Sequence, residues 1–102
     1  MKIVQEDKNG GSYLTLPAKL ALPQSVELKE HLLNAVSKDH DVVIDCKNVQ
    51  DIKTPFIQIL IAGARYFQRC KKSMKVQNLA SSVEGAFIDL GLTDELNRVK
   101  GI

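Results

Sequence analysis

Strand-like and helix-like stretches alternate along the 102 residues. That alternation predicts an α/β domain, a mixed sheet of about four to five strands with helices packed against it. Three observations carry the prediction. Asn9-Gly10-Gly11 is a turn signal between two short strand-like stretches. The later segments VVIDC and MKVQN each lie between stretches whose apolar residues recur with helical spacing. And 102 residues supply one core but not two, so the chain reads as a single domain, 1–102.

Residues 1–5 (MKIVQ) form the first expected strand, and residues 12–17 (SYLTLP) alternate polar and apolar as a half-buried strand does. Together they predict an opening hairpin. From about Gln24 to Ser37, Leu28, Leu32, Leu33, Ala35 and Val36 recur on one side, which predicts an amphipathic helix. Asp39-His40-Asp41 ends it. Residues 42–46 (VVIDC) are β-branched without alternation, the pattern of a central strand covered on both faces. A loop over 47–53 follows, carrying apolar Val49 and Ile52. The next helix starts at Thr54-Pro55 and runs to about Cys70; its apolar residues surround most of the first turns, so it is expected to be largely buried, against the sheet and a partner. Residues 74–78 (MKVQN) alternate as a strand. Ser81-Ser82-Val83-Glu84 matches a capping box with Ser81 as N-cap. Val83, Ala86, Phe87 and Leu90 then give a helical stripe, and Gly91 is a natural stop. Residues from Thr93 form a short helix or an extended tail.

The charge balance excludes one class of function. Fourteen basic residues against 12 acidic ones leave a net charge of +2, too even for a nucleic-acid footprint. The basic cluster Arg69, Lys71 and Lys72 falls at a helix end, where it complements the dipole. Cys46 and Cys70 stand far apart with no metal-ligand spacing, so two buried thiols of a cytoplasmic protein are expected. The start, MKIVQEDKNGG, has acids where a secretion signal needs an apolar stretch. The longest apolar run, 56–64, is interrupted by Gln58 and falls far short of the roughly 20 residues that span a membrane. No phosphate-binding glycine loop or metal motif is visible, and His31 and His40 read as solvated, without a nucleophile beside them in sequence. No catalysis and no cofactor are expected.

Thr54 is where chemistry points. At a helix N-cap its oxygen would sit beside backbone N–H groups that have no partner within the helix, with Pro55 at the first helical position. The plain role is a cap worth about 1 kcal/mol. The same geometry suits a phosphate, which adds roughly −1.5 to −2 charges at the positive end of a helix dipole.

The chain resembles a STAS domain, the family of anti-sigma-factor antagonists and of the domains that end sulphate transporters. The resemblance covers nearly the whole length. It rests on VVIDC (42–46), KTPFIQILIAGARYF (53–67), MKVQN (74–78) and SSVEGAFIDLGLTDEL (81–96). Asp45 matches the family's strand-ending Asp, and Thr54 falls on the Ser or Thr that is phosphorylated in many members. The stretch from Thr54 to Ala62 looks closest to small STAS proteins of signalling and chemotaxis operons. The resemblance implies a non-enzymatic partner-switching module, whose unmodified form binds an anti-sigma factor or another serine/threonine kinase of histidine-kinase-like fold. That kinase phosphorylates Thr54 and the complex is released. Asp51, Ile52, Lys53, Thr54, Pro55 and Phe56 would form the partner surface, with Phe56 as its apolar element.

Lys53 departs from the family, which has Asp before the hydroxyl residue. Either Lys53 pairs with a phosphate on Thr54, or the kinase contact is lost and Thr54 only caps the helix. Three other roles compete. One is a cytoplasmic STAS subunit of an ABC-type lipid-transport complex, docked on its ATPase. The second is a thiol-based enzyme using Cys46 or Cys70, and the third a homodimer that covers the apolar excess of the second long helix.

Overall fold

A computed structural model describes residues 2–50 and 52–100; Asp51, named above for the partner surface, lies outside the described residues. The chain runs β1 (Val4–Lys8), β2 (Gly11–Thr15), α1 (Leu22–Ser37), β3 (Asp41–Asp45), α2 (Thr54–Arg69), β4 (Met74–Gln77), α3 (Ser81–Asp89) and α4 (Thr93–Val99). The four strands form one mixed sheet in the order β1-β2-β3-β4. β1 pairs antiparallel with β2, while β2–β3 and β3–β4 are parallel, joined by α1 and α2 as crossovers. The α/β reading therefore holds, with four strands and four helices.

Asn9 and Gly10 both have positive φ, 51° and 77°, the signature of a two-residue type I′ turn. That turn pairs Lys8 with Gly11 and draws Glu6 and Asp7 into the ladder. The first strand therefore lies three residues later than the sequence pattern placed it. Within the sheet, alternate residues separate two faces. Ser12, Leu14, Val42, Ile44, Met74 and Val76 are buried under the helices, whereas Val4, Tyr13, Lys75 and Gln77 face water. Strand β3 is thus covered on one face only. Val43 sits half-buried on the open face between Tyr13 and Lys75, where neighbouring side chains shade it enough to suit a β-branched residue.

The core lies between the sheet and the helices, around Leu14, Leu28, Ile44, Phe56, Leu60, Phe67 and Phe87. Two expected core residues are outside it: Leu33 is 46% exposed, and Leu90 is 49% exposed because it follows the last turn of α3. Helix α1 begins two residues before Gln24, with Ala21 as N-cap and the Gln24 side-chain oxygen accepting the Ala21 N–H at 2.9 Å. In α3 the N-cap is Ala80 rather than Ser81, so the capping box does not form. Glu84 instead accepts a hydrogen bond from Lys100 at 2.6 Å, fastening α3 to the end of α4. The tail from Thr93 is helical, with Leu96 and Val99 buried.

Three helices end in the same way. The N–H groups of Gly91 and Leu92 return to the carbonyls of Ile88 and Phe87, both at 2.9 Å, a Schellman motif with Gly91 at φ 74°. Asp39 (φ 62°) and Lys71 (φ 59°) occupy the equivalent left-handed positions after α1 and α2. A residue with a Cβ pays about 1–2 kcal/mol there. Lys71→Gly is expected to raise the unfolding free energy by about 0.5–1 kcal/mol once the extra freedom of unfolded glycine is subtracted, as read from urea titration. Asp39 is a poorer test, because its carboxylate binds Lys72 at 3.0 Å.

Candidate functional site

The end of β3 sets the position of Thr54. Asp45 Oδ1 accepts the Lys47 backbone N–H at 2.9 Å and the Asn78 amide at 3.1 Å, tying the strand end to the residue after β4. Burial alone would raise its pKa; the Asn78 amide, the Lys47 N–H and the Lys47 ammonium outweigh this and hold the carboxyl below its ordinary value. Downstream, Cys46, Val49 and Ile52 are buried, and the Gln50 N–H donates to the Ala18 carbonyl at 3.2 Å. This pinned loop delivers the first turn of α2 to the surface. Asp45→Ala is expected to cost about 1.5–3 kcal/mol, since both bonds go to a charged acceptor. The lowered carboxyl stabilises the fold above its ordinary pKa, and that contribution disappears as pH falls through the lowered value. Denaturant titrations of parent and variant should therefore converge in acid.

Of the residues expected to form the partner surface, Lys53, Thr54 and Pro55 are exposed, whereas Ile52 and Phe56 are 8% and 1% exposed. Phe56 therefore belongs to the core and is not the apolar surface element expected of it. A six-residue window carried straight across a helix start ignores that successive side chains point about 100° apart. Thr54 is also not the N-cap. That position is held by Lys53, whose carbonyl accepts the N–H groups of Phe56 and Ile57 at 3.0 and 3.3 Å. Thr54 is the first helical residue and Pro55 the second, which the helix accepts because an N–H at that position would have no carbonyl four residues back within the helix. With no cap to lose, Thr54→Ala should change stability by less than about 0.5 kcal/mol, against the roughly 1 kcal/mol of a true cap.

The other chemical candidates lie at the histidines and the two thiols. Both histidines, expected to be solvated, are half-buried and bonded: His31 Nδ1 meets Gln5 Oε1, and His40 Nδ1 lies 3.0 Å from Ser12 Oγ. Ser12 is 1% exposed in the covered face of β2, so this Ser–His pair is closed to a substrate. Cys46 is buried and its thiol is pushed up to about 12, first by burial and then by the Asp45 charge. Cys70 is only half-buried, so one of the two expected buried thiols is not. Among the described residues no group of three His, Cys, Asp or Glu could hold a metal ion, and no helix is long and apolar enough to cross a membrane.

What sequence reading missed is a groove. Beside the exposed tip of α2, an apolar channel of about 510 Å³ runs between α1 and α2, lined by residues that include Leu33, Pro55, Ile59, Ala62 and Tyr66. A smaller hollow of about 250 Å³ continues it past Pro55 to Lys53, Leu22 and Ala21. The signal was present as spacing: Leu22, Val26, Lys29 and Leu33 on one helix, and Pro55, Ile59, Ala62 and Tyr66 on the other, both follow i, i+4, i+7, i+11. Comparison of the sequence with protein-family models and with curated proteins returns no match.

Proposed function

We propose that this chain is a non-enzymatic regulatory module that exchanges protein partners according to the state of Thr54, as the resemblance to anti-sigma-factor antagonists implies. The observation that carries this reading is the exposure of Thr54 in the first turn of a helix whose next residues, Phe56 and Ile57, are core. A kinase reaching Thr54 need not disturb the core. Phosphoryl transfer from ATP would join the γ-phosphorus to Oγ1, release ADP and pass the hydroxyl proton to the kinase. The product carries about −1.5 to −2 charges at the positive end of α2, which favours it, with Lys53 adjacent. A partner seated on the unmodified surface then meets a new charge.

The test combines intact mass with partner capture. The full chain, incubated with ATP, Mg²⁺ and each histidine-kinase-fold serine/threonine kinase of its source organism, should gain one phosphoryl group, and Thr54→Val should gain none. The Thr54→Glu chain should lose a partner that the parent captures. No transfer from any of these kinases, together with identical capture by parent and Thr54→Glu, overturns the reading. Capture of an ATPase subunit of a membrane transporter, in place of a kinase, would move the module to the transport role.

A further inference from the structure

We infer that the α1/α2 groove is a docking site for an amphipathic helix of a partner protein that carries acidic residues along its flanks. The apolar part of the argument is geometric. Along α1, Leu22, Val26 and Leu33 are 73%, 55% and 46% exposed. Pro55, Ile59, Ala62 and Tyr66 line the groove along α2 opposite Lys29, Leu32 and Leu33 of α1, while Leu22 flanks the smaller hollow that shares Pro55. The Tyr66 ring is held edge-on against buried Phe67 at 6.5 Å. Eleven residues separate Pro55 from Tyr66, a rise of about 16 Å or three helical turns. A trough of that length, with two parallel stripes of small and medium apolar side chains, accepts a helix presenting anchors at i, i+4, i+7 and i+11.

Charge selects the occupant. Lys29 lines the groove, and exposed Arg65 and Arg69 follow Ala62 and Tyr66 by three residues, which makes them their neighbours on the helix surface. None of these three cations has an ion-pair partner among the described residues. Lys8, Lys38, Lys47, Lys72 and Lys100 have acidic partners; Lys29, Arg65 and Arg69 are set apart by gathering beside one apolar groove. On α1, Glu27 accepts the Ile3 N–H at 3.0 Å, and neither it nor Glu30 lines the groove. A rim with this excess of positive charge attracts a helix with Glu or Asp beside its apolar face. It disfavours a second copy, which would bring the same cations with it.

The larger channel reaches Pro55, next to Thr54, before the smaller hollow takes over. A phosphate on Thr54 would therefore face the acidic flank of the docked helix, and like-charge repulsion would loosen it. This switching half rests on the proposed function; the docking half stands without any phosphorylation.

The probe is a synthetic peptide of about four helical turns, with Leu at i, i+4, i+7 and i+11 and Glu on both flanks, titrated into the ¹⁵N-labelled full chain. Saturable shifts are expected at Leu33, Ile59, Ala62 and Tyr66. Affinity should fall at least about tenfold in Ala62→Glu, and about as much when Lys replaces Glu in the peptide. The Arg65→Glu/Arg69→Glu chain should reverse the preference and take the Lys peptide better. Both variants change exposed helix positions, and circular dichroism checks that they fold. Docking is overturned if a scrambled peptide of the same composition binds equally, if the shifts fall elsewhere, or if the Lys peptide binds the parent as well as the Glu peptide. It is also overturned if light scattering shows a concentration-dependent dimer that Ala62→Glu abolishes, which assigns the groove to a second copy. Unchanged peptide affinity in Thr54→Glu overturns the switching half alone.

Discussion

Phe56→Ala is expected to lower the unfolding free energy by about 3–5 kcal/mol, the range for removing a fully buried aromatic ring. Phe56 is 1% exposed and belongs to the main core cluster with Ile57 and Leu60. Its ring roots the first turn of α2, so alanine leaves a cavity beneath the one turn that carries Thr54. Domains of this size hold roughly 5–15 kcal/mol in total, so the variant keeps little margin. Urea denaturation followed by circular dichroism measures the loss directly. A loss below about 1 kcal/mol would return Phe56 to the surface role that the order of residues around Thr54 suggests.

A second large effect concerns Cys46. With its thiol raised from 9.0 to about 12, the folded chain holds on the order of a thousandth of the thiolate that an ordinary cysteine carries at the same pH. In Cys70→Ser, alkylation of Cys46 by iodoacetamide should be about a thousandfold slower than that of a free thiol, and should reach the ordinary rate in denaturant. Cys70, retained alone in Cys46→Ala, should react far faster because it is only half-buried. The pH dependence has a definite sign. A group whose folded pKa is raised gives a contribution that is fully present below the unfolded value, so the Cys46 thiol leaves stability independent of pH up to about pH 9; that contribution is lost as pH climbs toward 12. Cys46→Ala should flatten this part of the decline. Fast alkylation of native Cys46 would reopen the thiol-chemistry alternative, which its burial otherwise disfavours.

The parts of this molecule that were legible in sequence are those set by short-range rules. Asn9-Gly10 announced a hairpin because only a few residue types accept two successive positive φ angles. Gly91 announced a helix stop for the same reason. The crossover helices and the strands between them followed from periodicity. What sequence left unread depends on which face meets which. Residues 42–46 look identical whether a sheet is covered once or twice, and only the tertiary arrangement leaves Val43 beside Tyr13 on an open face. The cap of α3 falls on Ala80, and Glu84 pairs with Lys100, sixteen residues away and beyond any local motif. At the candidate site the distinction is finest. Thr54 and Phe56 are two residues apart, and the turn of the helix sends one to water and the other to the core.

The inward side of β1 carries Gln5 and Asp7 where an ordinary edge strand would carry apolar residues, and both reach α1, Gln5 at His31 and Asp7 at Lys38, 3.3 Å away. Such an edge offers an incoming strand backbone groups to bond but little greasy surface to bury, and it places an exposed charge in the way. The sheet is thereby guarded against growing sideways into aggregates at the margin where a hairpin would otherwise invite it.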